Sequence, residues 1–189
     1  MSVTRVLPKP SVSRDDVTHL AWDRGWRYHD MFGANETQPF EKIWLTPDGL
    51  TSIHWIEDHV LGLPYLLLQG KSQDEAAHEI ASALPTVDRS DLRAIVDEAR
   101  TADDLVAALR HVAAAAPPEF DAEIFEWFEQ GFEHEDAAVR KIAAIASAYP
   151  AWPEFRARLL ETASNDADPD VREAASIRLY DLDQKLARD

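Results

Sequence analysis

The densest run of groups able to do chemistry is His54-Trp-Ile-Glu-Asp-His59, with two imidazoles and two carboxylates in six residues. Such groups can hold a divalent cation, and a bound cation can activate water for hydrolysis. For His54, Glu57, Asp58 and His59 to act together, the backbone must deliver them to one point. On a strand the side chains alternate, so His54 and Asp58 share one face and Glu57 and His59 the other. A four-ligand site therefore needs a bend or a bulge, with His19, His29 and Asp30 as groups that neighbouring elements could add. Without that bend the run is the polar face of a sheet and its turn. No metal and no other cofactor is expected.

Other catalytic patterns are weaker. Gln69-Gly-Lys-Ser72 follows an apolar run and precedes a helical one, as a phosphate-binding loop would. That loop also needs a glycine five positions before its Gly-Lys pair, and position 65 is Tyr. There is no Gly-x-Ser-x-Gly pattern and no cysteine, so thiolate catalysis, disulfides and cysteine-based metal sites are excluded. Six glycines are few for a nucleotide fold. The expectation is a non-enzymatic protein, with a metal-dependent hydrolase at His54–His59 as the alternative.

Charge points to the kind of partner. The 189 residues hold 35 acids and 19 bases, a net charge of −16. That argues against nucleic acid and against an anionic membrane surface, both of which need clustered Lys and Arg. It favours a basic protein partner. Residues 1–70 carry 9 acids and 6 bases, so most of the excess lies beyond them. The acids are densest from Asp121 to Asp136, interleaved with Phe125, Trp127, Phe128 and Phe132. Helical spacing places Glu119, Glu123 and Glu126 on one solvent face. The candidate partner-binding residues are Glu119, Glu123, Glu126, Trp127, Glu129 and Glu133, together with Trp152. Trp152 sits in Tyr149-Pro-Ala-Trp-Pro153, where an aromatic is either a core plug or an interface anchor.

The elements that position these groups can be read in order. Residues 1–12 hold two prolines and little periodicity, which reads as a flexible arm. Residues 13–70 read as a short helix and an antiparallel sheet module. Ser13-Arg-Asp-Asp16 is a capping box opening the helix, and Gly25 can end it. Trp26 to Phe32, Phe40 to Leu45, Leu50 to Glu57 and Leu63 to Gln69 read as four strands of a meander, with Thr46-Pro-Asp-Gly49 as a turn. In the third strand Ile53, Trp55 and Glu57 share a face. From residue 71 the pattern is helical: Ser72-Gln-Asp-Glu75 reads as a capping box for a helix over 72–84. Helix pairs are expected at about 88–117, 121–150 and 153–187. The fold class is α+β, a small antiparallel sheet module followed by a helical-repeat region.

A repeat supports the pairs. Asp136-Ala-Ala-Val-Arg140 aligns with Asp168-Pro-Asp-Val-Arg172 at an offset of 32, and Asp103 falls at the equivalent place one unit earlier. An Asp there can cap the second helix of each pair. Asp168-Pro-Asp-Val-Arg-Glu-Ala-Ala175 and Asp136-Ala-Ala-Val-Arg-Lys-Ile-Ala143 resemble the turn and second-helix start of HEAT repeats. The resemblance implies an α-solenoid used for protein–protein contact. It also implies a structural ladder between repeats through Asp136, Arg140, Asp168 and Arg172. In the first unit Ala107 stands where the Arg belongs.

The first ten residues lack the apolar run of a secretory signal, and Val60 to Leu68 is too short for a membrane helix. A cytoplasmic protein is expected, and the Ala/Asp/Arg-heavy, Lys-poor composition is of bacterial type. The functional expectation is an acidic inhibitor or immunity-type protein that neutralises a basic effector. The alternative within the binding class is an adaptor that takes a peptide or partner helix in the solenoid groove.

Overall fold

The computed structural model describes residues 3–36 and 38–188, and the chain divides into two compact units, Met1–Arg89 and Ser90–Asp189. It is an α+β fold. The first unit contains β1 (Thr4–Val6), α1 (Arg14–Asp23), β2 (Arg27–Phe32), β3 (Phe40–Leu45), β4 (Thr51–Asp58), β5 (Leu63–Gly70) and α2 (Gln73–Ala83). Every strand pairing is antiparallel, in the order β1-β5-β4-β3-β2.

Period-2 alternation sets one face of the sheet. Trp44, Ile53, Trp55, Leu66 and Leu68 project from it into a core closed by Val17, Leu20 and Ala21 of α1 and by Ala76 and Ile80 of α2. A sheet of short strands needs such a helical cover to bury enough apolar area. The helix α1 starts at the expected capping box, in which the Ser13 side chain and the Asp16 carboxylate each take the other's backbone N–H. It gives way at Gly25, which has φ +67°. The Thr46–Gly49 turn closes with the Gly49 N–H donating to the Thr46 carbonyl at 2.8 Å.

Three local expectations change. Part of the segment read as an arm is a fifth strand: Thr4, Arg5 and Val6 pair with Leu68, Leu67 and Leu66. Leu7 is buried and accepts the Val87 N–H at 2.8 Å. Three residues are too few to show a period, so only pairing reveals the strand; Met1 and Ser2 lie outside the described residues. Ser72 makes no side-chain cap on α2; instead its N–H donates to Thr51 Oγ1 at 2.9 Å. The helix α2 also belongs with the sheet rather than with the later helices.

Gly70, at the end of β5, sits at a close approach of two backbones. Its φ is +144°, and a Cβ there would lie 2.2 Å from the Leu50 carbonyl oxygen and 2.6 Å from Thr51 Cα. The glycine lets two backbones touch. Gly70→Ala is expected to destabilise the first unit by about 3 kcal/mol, combining backbone strain with overpacking. A lowered urea midpoint for the sheet unit checks this, and an unchanged midpoint would refute it.

The second unit is three helix pairs: α3 (Arg89–Glu98) with α4 (Ala102–Ala115), α5 (Ala122–Phe132) with α6 (Ala137–Ala146), and α7 (Phe155–Asn165) with α8 (Pro169–Leu186). The second helices stack, α4 on α6 and α6 on α8. Small residues allow the close approach, since Ala113, Ala143, Ala144 and Ala175 are fully buried. Asp136 and Asp168 are N-caps, accepting backbone N–H groups of α6 and α8. Asp103 is not their equivalent. It lies inside α4, whose cap is Thr101 in a capping box with Asp104. The hydroxyl two positions earlier wins because its box satisfies donors at both ends of the first turn.

Candidate functional site

The His54–His59 run spans the end of β4 and the turn after it, and its members go separate ways. His54 is held between Glu41 and Ser52, with Nδ1 2.6 Å from Glu41 Oε1 and Nε2 2.8 Å from Ser52 Oγ. Glu57 lies on the helix-covered face, where it accepts from Trp55 Nε1 at 3.0 Å and faces Arg14. Asp58 caps the turn by accepting the N–H groups of Val60 and Leu61 at 2.8 and 2.9 Å. It also takes the Tyr65 hydroxyl at 3.4 Å. Burial, reinforced by that carboxylate, pushes the Tyr65 phenol up to about 12. His59 is exposed in the turn. The strand alternation that splits the set is preserved, and no bulge in β4 rejoins it. Among the described residues no three His, Asp or Glu side chains converge on a metal-sized site.

The partner-binding candidates on the helical unit also separate into groups. Three acids are internal links between first helices. Glu123 of α5 takes a two-pronged ion pair from Arg93 of α3, at 2.7 and 3.0 Å. Glu129 takes the guanidinium of Arg158 of α7, whose Nε donates to it at 3.0 Å. Glu133 accepts from the same guanidinium at 2.8 Å. The spacings are close to one repeat, so each pair joins neighbouring repeats. Fork-shaped Arg–carboxylate pairs of this kind fix geometry as well as adding energy.

Trp152 is a core plug. It is 2% exposed, stacks on Phe155 at 5.7 Å with rings 3° from parallel, and meets Phe120 edge-on at 5.4 Å. Its Nε1–H donates to the Pro118 carbonyl at 3.2 Å.

Glu119, Glu126 and Trp127 remain at the surface. Glu119 and Glu126 are exposed and Trp127 is half-buried. Trp127 lines an apolar groove of about 160 Å³ with Val96, Leu105, Leu109, Gly131 and Val139. Gly131, one turn beyond Trp127, keeps α5 close to its neighbours: a Cβ there would lie 2.8 Å from Leu109 Cδ1 and 3.1 Å from Ala143 Cβ. Sequence patterning found Trp127 but not the groove, because its walls come from α3, α4, α5 and α6.

The repeat ladder uses one residue that the sequence did not single out. Arg140 of α6 crosses to Asp166, in the loop between α7 and α8, at 2.8 and 3.0 Å. Its Nη1 also donates to the carbonyls of His134 and Glu135. Arg172 repeats the local half of this arrangement, donating to the carbonyls of Asp166 and Ala167. Asp136 and Asp168 serve as caps, so the acid of the cross-repeat pair is Asp166. The visible signal was its place two residues before the Asp168 cap. Among the described residues no helix is long and apolar enough to cross a membrane. No family model, curated protein or solved structure matches the chain.

Proposed function

We propose that the chain is a protein-binding module whose helical unit receives a basic partner, in the manner of an inhibitor or immunity-type protein. The observation that carries this reading is Trp127, a half-buried aromatic in an apolar groove, on a unit that holds 22 acids against 11 bases. Aromatic anchors in such hollows supply much of the affinity of protein interfaces. Surplus acid around them steers a cationic partner and selects against anionic ones. Glu119 and Glu126 are the candidate steering charges, because Glu123, Glu129 and Glu133 are already paired with arginines of neighbouring repeats. Charge reversal at those three positions would disturb the repeat stack as well as any interface.

The test uses a panel of small basic proteins, with acidic proteins of similar size as controls, titrated against the whole chain by calorimetry. Binding of a basic member should weaken at least tenfold as salt rises from about 50 to 500 mM, as screening of steered charges requires. Glu119→Lys with Glu126→Lys should slow association. Trp127→Ala should weaken binding by about 2 kcal/mol. Binding that ignores salt but still depends on Trp127 favours the second reading, an adaptor groove for a peptide or helix. Failure of every basic protein to bind overturns the first.

A further inference from the structure

We infer that the open edge of the sheet is a self-association surface at which β2 pairs antiparallel with β2 of a second copy of this chain. This rests on the sheet unit and is independent of the groove at Trp127. The strand β2 ends the sheet order, and all six of its residues are exposed. A bare sheet edge carries unpaired backbone groups and templates further pairing. The apolar residues on it are unusual for a solvated strand: Tyr28 is 61% exposed, Met31 52% and Phe32 39%.

The helix α1 covers the same face of the neighbouring strand β3. Arg14 lies over the Phe40 ring at 4.5 Å, and Thr18 accepts from Lys42 at 3.0 Å. Four helical residues advance about 6 Å and two strand residues about 6.8 Å, so helix and strand run in step. Trp22, one turn further along α1, is 86% exposed, and Trp44 has Tyr28 as its partner in β2. Tyr28 and Met31 are the exposed apolar pair on the edge itself.

The sequence of β2 is complementary to itself, and this selects the occupant. Antiparallel pairing about a twofold axis between His29 and Asp30 sets His29 opposite Asp30, Tyr28 opposite Met31 and Arg27 opposite Phe32, each twice. Those are donor against acceptor, sulfur against aromatic ring and cation against ring, all favourable cross-strand pairs. The faces also agree. Tyr28 and Met31 pair with Trp44 and Lys42 on the helix-covered side of β3. The register irregularity between Tyr28 and Asp30 is what puts Tyr28 and Met31, three apart, on the same side. In the single chain the Met31 N–H is taken by the Asp30 carboxylate at 2.8 Å, a cap on the open edge. On pairing, that N–H passes to the Tyr28 carbonyl of the second copy and Asp30 turns to His29. A twofold contact of this kind is closed, so it yields dimers rather than filaments.

Sedimentation of the full chain tests the proposal. The wild type is expected to approach twice 21.3 kDa with rising concentration. His29→Asp places two carboxylates opposite one another twice, and Asp30→Lys removes the acceptor opposite His29 twice; each should weaken self-association about tenfold. Mixed in equal amounts, the two variants restore opposite charges and should form a heterodimer. The double substitution Tyr28→Lys with Met31→Lys should give monomer with an unchanged melting curve, since both side chains are exposed. A wild type that stays at 21.3 kDa up to about 1 mM overturns the proposal. So does a dimer that the Tyr28/Met31 variant leaves intact.

Discussion

Trp152→Ala is expected to cost the helical unit about 3–5 kcal/mol, the range for emptying a large aromatic from a packed core. The ring lies in a cluster with Phe120 and Phe155, and Phe155 in turn contacts Phe125 and Phe128. Deletion removes ring contacts and leaves the Pro118 carbonyl without the Nε1–H. In a unit of about 100 residues, a loss of this size lowers Tm by about 12 °C or more. Trp152→Phe should recover much of the packing but not the hydrogen bond, and so fall between the two. Denaturation followed by far-UV circular dichroism, with hydrogen exchange to separate the two units, reads the effect. A stability change under about 1 kcal/mol, accompanied by loss of partner binding, would make Trp152 an interface anchor instead.

Arg140→Ala is expected to cost about 3 kcal/mol, because it strands a charge. The side chains of Arg140 and Asp166 are 15% and 7% exposed. One guanidinium satisfies the Asp166 carboxylate and two carbonyls between α5 and α6. Removing both partners with leucines should cost less than the sum of the single losses, as coupling through one network requires.

The pair also predicts a pH dependence. The hydrogen bond from Arg140 holds Asp166 below the usual carboxylate range, against the opposing effect of burial. A carboxyl group with a depressed folded-state pKa adds stability that is present above its unfolded value, about 3.9, and lost as pH falls through the folded value. The stability gap between wild type and Arg140→Ala should therefore be full near neutrality and narrow in acid below about pH 4. A gap that stays constant from pH 7 to about pH 2 would sink this account.

Much of the fold was legible because its signals are local. The helical stripes located all three helix pairs, and the Ser13 box and the Asp136 and Asp168 caps are contacts made within a few residues. Alternation placed β2 to β5 and assigned Ile53 and Trp55 to one face of β4. Signals failed where they were short or had a local competitor. The strand β1 is three residues long, and Asp103 lost the cap to Thr101.

The candidate site divides along the same line. The sequence alone determined the net charge, the concentration of acid and aromatic side chains on α5, and the angular position of each residue around that helix. It also determined that His54, Glu57, Asp58 and His59 alternate across a strand. Only the tertiary structure decided which of those groups remain available. Glu123 and Glu129 meet arginines 30 and 29 positions away, Arg140 meets Asp166, and Trp152 closes over Phe155. The helical period gives a residue's direction from its own axis. The group it meets depends on how the next repeat is translated and turned against it, which is set by the packing of many small and aromatic side chains together. An acidic stretch that reads as one exposed face is therefore, in the folded chain, partly internal connection between repeats and partly free surface at Glu119 and Glu126.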